Sequence, residues 1–349
     1  MNKLHIPPLD EQAAKAALEH QKILAKPPLA LGKLEPVAIR IAGMTGNPAP
    51  RLKDKAIVLF AADHHIADHG LSLTSTDVTY IQTRNFLQGG GTINAFTRNA
   101  GARLSVVDVG VNYDFGDLPG LVKRKVMHGA NDFSRGPAMT REQALKCLQV
   151  GIDMAREEKN KGLDIVAAGE MGIGNTTTSS AVAAVLLGQP VERMTGRGAG
   201  LSDAGLARKL DAIRRGIARN QPDAADPLDV LSKLGGFDIA GLCGVFLGGA
   251  LEGLPVLMDG FISGVAALCA VRLCPAASKA VFASHCSTEP AARLVLNALG
   301  KTPLLTAGLH LGEGTGAVAS IPLWDMALAV YEGCYSFAEG GIAPYTPQC

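Results

Sequence analysis

The chain has 349 residues, 47% of them hydrophobic, and a formal net charge of +1. That length suits one large α/β core plus a smaller unit, and near-neutral charge with no long basic run argues against a nucleic-acid groove or an anionic membrane surface. Only 5% of residues are aromatic against 41 glycines, a composition for tight turns and small-residue packing rather than stacking on nucleobases.

In chain order, the N-terminus mixes acidic and basic residues where a signal peptide needs an apolar core. Helical spacing runs from Glu11 to Leu24 and must stop at Lys26-Pro27-Pro28; a second helix is expected from Leu29 to Ala42. Ala56 to Ala61 is an apolar, β-branched run of the kind that forms buried parallel strands. Similar strands are expected from Leu104 to Val109, Leu163 to Ala168 and Leu254 to Met258, with a further one near Ala280 to Ala283. Between them, helical character marks Val78 to Thr97, Arg141 to Lys159, Ser180 to Leu187, Ala204 to Asn220 and Ile239 to Leu251. Lys123-Arg124-Lys125 reads as a solvated turn. This alternation predicts right-handed crossovers and a doubly wound, Rossmann-like parallel sheet, with ligands beyond the carboxyl ends of the strands.

The longest apolar stretches, such as Ile262 to Val271, are short and glycine-interrupted, so nothing is expected to span a bilayer. With no signal-like start, a soluble cytoplasmic protein is expected. The seven cysteines form no Cys-x-x-Cys pair and mostly lie in apolar surroundings, as reduced core cysteines do. Cys286 beside His285 is the one thiol to weigh as a nucleophile, against the simpler reading of a buried small residue.

The most informative stretch is Gly169-Glu170-Met171-Gly172-Ile173-Gly174-Asn175-Thr176-Thr177-Thr178, between a strand and an Ala-rich helix. Glycines turn backbone N–H groups toward a ligand, and the helix N-terminus adds partial positive charge, so the run suits a phosphate. No Gly-Lys-Ser/Thr follows, and the dinucleotide glycine spacing is absent, which leaves a single phosphomonoester as the better ligand. Glu170 would repel that phosphate, so it either points elsewhere or does chemistry on another part of the substrate. A second glycine-carboxylate motif, Leu311-Gly312-Glu313-Gly314-Thr315-Gly316-Ala317, presents its carboxylate with little bulk around it; the two motifs are expected to share a site. Asp63-His64-His65-Ile66-Ala67-Asp68-His69 reads as an ordered loop whose histidines make hydrogen bonds. The competing reading is a Zn²⁺ or Mn²⁺ cluster, with a manganese Asp-His-His phosphoesterase as its function. Lys209 reads as a solvated helix residue or, if the preceding glycine turn brings its helix inward, as a phosphate partner.

Together these motifs, with Asp63-His64, Val78-Thr79 and Gln82, Val107-Asp108-Val109-Gly110, Gly235-Gly236-Phe237-Asp238, Leu257-Met258-Asp259-Gly260-Phe261 and Ser284-His285 with Ser287 and Glu289, give the chain its resemblance to a known family. It resembles the nicotinate-nucleotide:dimethylbenzimidazole phosphoribosyltransferases of cobamide (vitamin B12) lower-ligand assembly from about Leu29 to about Gly341. The resemblance implies a large α/β catalytic domain over residues 30–320 and a small helical domain from residues 1–29 and 321–349, in a dimer. It implies transfer of the 5-phosphoribosyl group of nicotinate mononucleotide to an aromatic base with inversion, releasing nicotinate. No pyrophosphate leaves, so the chemistry calls for neither metal nor cofactor. Glu313 matches the general base, and Glu170 the carboxylate near the ribose and incoming base. Gly172, Gly174, Asn175, Thr176, Lys209, Ser287, Leu311 and Gly312 match the mononucleotide site, and Thr74, Gln82 and Met171 the base pocket. The family's usual Asp-His-Gly is Asp63-His64-His65 here, and its base-loop proline is missing from Leu73-Thr74-Ser75-Thr76. Those departures leave open a related branch that joins phenol or p-cresol through oxygen as a heterodimer of paralogues.

Overall fold

The computed structural model describes residues 4–345. Six strands, β1 (Lys55–Ala62), β2 (Arg103–Gly110), β3 (Leu121–Lys123), β4 (Ile165–Met171), β5 (Val256–Met258) and β6 (Val281–Ala283), form one sheet. Every pairing is parallel and the spatial order is β3-β2-β1-β4-β5-β6, the doubly wound arrangement that the strand–helix alternation predicts. The helices are α1 (Glu11–Ile23), α2 (Glu35–Thr45), α3 (Asp77–Leu87), α4 (Thr92–Ala100), α5 (Arg141–Asn160), α6 (Asn175–Leu187) and α7 (Val191–Met194). They continue with α8 (Asp203–Asn220), α9 (Pro227–Leu234), α10 (Phe237–Glu252), α11 (Phe261–Leu273), α12 (Ala292–Ala298) and α13 (Thr315–Gly333). No helix among the described residues is long and apolar enough to cross a membrane.

β1 is buried from Ala56 to Ala62, as a strand covered on both faces must be. The helix layer on one face is drawn tight by glycines. A Cβ on Gly151 of α5 would overlap the carbonyl of Gly241 in α10, and one on Gly248 would stand 2.9 Å from the Cα of Ile152. The two helices therefore pack backbone to backbone, which is what the glycine-rich composition is for.

Four expectations change in detail. The helix expected from Val78 to Thr97 is broken in two by Gly89-Gly90-Gly91, and the side chain of Asn94 accepts from Gly91 N at 2.9 Å to start α4. The helix expected from Leu29 begins at Glu35, because Leu29 and Gly32 adopt φ of 60° and 52° and Pro36 occupies the first turn. Lys123-Arg124-Lys125 is not a free turn: Lys123 ends the edge strand β3, and Lys125 Nζ lies 2.8 Å from Asp108 Oδ2 at the end of β2. Strand β4 also runs on past Ala168, because Gly169, Glu170 and Met171 pair with Leu59, Phe60 and Ala61 of β1.

That extension sets the position of the site. The strand order reverses between β1 and β4, and ligands of doubly wound sheets sit beyond the carboxyl ends of the strands at such a switch. Glu170 and Met171 are the last residues of β4, beside the end of β1.

Candidate active site

A cavity of about 730 Å³ opens at this edge of the sheet. Thr74, Gln82, Glu170, Met171, Gly172, Gly174, Asn175, Thr176, Ser287, Leu311, Gly312 and Glu313 all line it, so twelve of the thirteen residues singled out by sequence meet in one place. Lys209 is the thirteenth and stands directly behind the wall. Its Nζ donates to Thr176 Oγ1 at 2.9 Å and to Gly196 O at 3.1 Å.

One end of the cavity has the character of an anion site. Gly174, with φ of 101°, caps α6, so the positive end of that helix faces the pocket. Gly172 packs so closely that a Cβ would overlap the carbonyl of Ala62 and stand 3.0 Å from both Asp238 Oδ2 and His64 Nε2. Lys209 is fully buried rather than on a solvated helix face, and burial pulls its pKa down to about 8, with Glu289 opposing the fall. A bound anion would restore the charged form. Arg197 also lines this region, held by donation from Nη1 to Leu201 O at 2.8 Å.

The other end carries two carboxylates. Glu170 is buried, and loss of solvent, with the negative charge of Asp238 next in size, raises its pKa to about 8. Asn175 Nδ2 donates to Glu170 Oε2 and, at 2.9 Å, to Asp238 Oδ2. At neutral pH Glu170 therefore mostly holds a proton. Glu313 sits in three consecutive left-handed residues: Gly312, Glu313 and Gly314 have φ of 86°, 61° and 81°. A non-glycine residue there is strained by about 1 kcal/mol or more. Its carboxylate accepts from Gln82 Nε2 at 3.1 Å and from the backbone N–H of Ile93 at 3.3 Å. Burial raises its pKa, and those two hydrogen bonds hold it back.

The two glycine-carboxylate motifs meet because glycines let the backbones touch. A Cβ on Gly169 would stand 2.8 Å from the Glu313 carbonyl, and one on Gly312 would stand 2.5 Å from Glu170 Oε1. Leu73 and Leu311 of the lining are 62% and 56% exposed.

The histidines of the Asp63–His69 loop go to separate partners. His64 Nε2 stands 3.0 Å from Asp238 Oδ1, His65 Nδ1 3.3 Å from Asp68 Oδ2, and His69 Nε2 2.7 Å from Asp132 Oδ2. Among the described residues no three His, Cys, Asp or Glu side chains come together as metal ligands. Cys286 is buried, its Sγ 3.6 Å from its neighbour's carbonyl, Ser287 O; Cys334 is exposed, and Cys349 lies outside the described residues.

The sequence alone gives Asp238, Asp259 and His285 no role of their own, although Asp259 and His285 line the cavity. Asp259 accepts from Ala317 N at 2.8 Å and lies 3.7 Å from His285 Nδ1. All three stood in motifs that carry the family resemblance, but nothing in their spacing shows that Asp238, at the start of α10, reaches Asn175.

A phosphoribosyltransferase family model matches residues 6–342 of the chain. The nicotinate-nucleotide–dimethylbenzimidazole phosphoribosyltransferase of Chloroflexus aggregans is 48% identical over 339 residues, covering 97% of this chain and 96% of that protein. The protein of the same name from Acetivibrio thermocellus is 47% identical over 325 residues, covering 93% and 92%. The crystal structure of CobT from Thermus thermophilus superposes with a TM-score of 0.91 at 42% identity, covering 95% of this chain and 99% of that one. The chain belongs to the nicotinate-nucleotide–dimethylbenzimidazole phosphoribosyltransferase family.

Proposed function

We propose that this chain transfers the 5-phosphoribosyl group of nicotinate mononucleotide to a lower-ligand base, releasing nicotinate and forming the α-riboside phosphate. The observation that carries the reading is one cavity with an anion cradle at one end and two buried carboxyl groups at the other. The phosphate rests on the start of α6, backed by Thr176 and Lys209, with Gly172, Gly174, Asn175, Ser287, Leu311 and Gly312 completing the mononucleotide site. Thr74, Gln82 and Met171 flank the incoming base.

In this reading the base nitrogen attacks C1′ with its lone pair on the face opposite nicotinate. The C1′–N bond to nicotinate breaks, and its electron pair neutralises the pyridinium nitrogen. The transition state has oxocarbenium character, and the attacking ring sheds its N–H proton. Glu313 takes that proton: burial raises its pKa toward the range of a useful base, and its hydrogen bonds to Gln82 and Ile93 oppose that rise. Glu170, mostly protonated at neutral pH, offers a hydrogen bond near the ribose instead of a second negative charge. The working pair is thus one base and one acid.

Dimethylbenzimidazole stands in the names of the relatives, and that places it ahead of phenol or p-cresol as acceptor. Offering equal dimethylbenzimidazole and p-cresol with nicotinate mononucleotide, and resolving the products by mass, tests the choice. Efficient formation of the O-glycoside would overturn it. The resemblance also supports a dimer of catalytic domains (residues 30–320) with small helical domains (residues 1–29 and 321–349); α13 runs unbroken across residue 320. The mass of the chain expressed alone, read beside its activity, checks this: an inert monomer would reject it.

A further inference from the structure

A second cavity, of about 610 Å³, lies near the amino end of strand β6, away from the strand ends that carry the site described above. Three cations line it, each from a different segment: Arg40 on α2, Lys279 in the 3₁₀ turn Pro275–Ala280, and Lys301 after α12. The remaining wall is mostly apolar, from Ile6, Pro7, Leu9 and Pro275, and among the described residues no Asp or Glu lines it.

Such a group is costly without an anion. Burial lowers the pKa of Arg40 to about 10 and that of Lys301 to about 8, and Arg40 adds its repulsion to Lys301. Each cation is held by one backbone carbonyl: Arg40 Nη2 donates to Val281 O at 3.0 Å, Lys279 Nζ to Pro7 O at 2.5 Å, and Lys301 Nζ to Ser278 O at 2.7 Å. The guanidinium of Arg40 also lies 3.8 Å from the ring centre of Phe282, which fixes its plane. An Arg carries five N–H donors and a Lys three, so the anchoring bonds fix the three heads and leave donors over. Capping carbonyls explains one bond per residue. It does not explain three like charges around one apolar cavity.

We propose that this cavity is a second ligand site, which takes a small organic carboxylate with an apolar body. The carboxylate bridges Arg40 and Lys301, Lys279 closes the rim, and the apolar body rests on Ile6, Leu9 and the prolines.

The probes are sodium benzoate and inorganic phosphate, each added at about 10 mM and matched ionic strength to the full chain. Nicotinate mononucleotide is kept saturating, so that the catalytic cavity is filled. Benzoate is expected to raise the unfolding midpoint by about 2 °C or more and phosphate by less. Lys301→Met and Lys279→Met, which keep the apolar stems, should each remove at least half of that shift. Two variants are used so that a folding defect in one cannot decide the result, and their midpoints without benzoate report folding directly. No benzoate shift, a shift that both variants keep, or a shift that phosphate matches would each overturn the proposal.

Discussion

Asn175 and Asp238 are joined by a hydrogen bond of 2.9 Å from the amide nitrogen to Oδ2, and the same nitrogen also reaches Glu170. One amide thus ties two buried carboxyl groups together, which is tolerable only if they do not both carry full charge. The charge of Asp238 is one of the causes of the raised pKa of Glu170.

Asp238→Asn should therefore lower the pKa of Glu170 from about 8 toward its ordinary value. If the reaction needs Glu170 protonated, activity falls as pH rises through that pKa, and in the variant the fall comes at lower pH. The profile of kcat/KM against pH checks this; an unmoved alkaline limb would reject the role of Asp238. Stability has its own sign. A carboxyl group whose folded pKa lies above its unfolded one binds more protons when folded, so stability is lost as pH rises from the unfolded value through about 8. Glu170→Gln should flatten that loss, read as urea unfolding at about pH 6 and about pH 8.

Glu313→Gln keeps the shape of the side chain but cannot take a proton. Turnover should fall by at least about 10²-fold, with binding of nicotinate mononucleotide little changed. Near-normal turnover would remove Glu313 from the role of base.

Lys209→Met tests the anion cradle. Replacing a buried cation by an apolar chain of similar length should weaken nicotinate mononucleotide by about 10- to 100-fold, the range for a charge-assisted hydrogen bond, while nicotinate riboside is hardly affected. Calorimetry with both ligands decides: equal losses would place Lys209 away from the phosphate. Because its pKa in the empty protein is about 8, mononucleotide affinity should also weaken above that pH in the wild type.

The sheet was legible in the sequence because buried parallel strands are short apolar runs. Those from Ala56 to Ala61 and from Leu104 to Val109 lie within β1 and β2. The edge strand β3, three residues beside a run of cations, has no such signature. Glycine and carboxylate in alternation marked Glu170 and Glu313, since few other settings require that combination. Asp238 and Asp259 stand in family motifs whose sequence alone assigns them no partner. Their partners, Asn175 and Ala317, are 63 and 58 residues away, and only the folded chain brings them together. Lys209 shows the same limit: its helix α8 carries six other charged residues, and nothing local says that this one lysine points inward.

Gly312 offers a test of how closely the two carboxylate motifs must meet. Its φ is 86°, and an added Cβ would stand 2.5 Å from Glu170 Oε1. Gly308, on the same wall, has φ of 70° with nothing within 4 Å of an added Cβ. Both Ala variants should lose about 1–2 kcal/mol of stability, because both force a Cβ into a left-handed residue. Only Gly312→Ala also pushes on the Glu170 carboxyl, so it should lose at least about tenfold in turnover beyond Gly308→Ala, since a displacement near 1 Å in a site is enough for such losses. Urea unfolding and steady-state kinetics on the pair separate strain from displacement. Equal kinetics in the two variants would show that Glu170 does not need the space that Gly312 leaves for it.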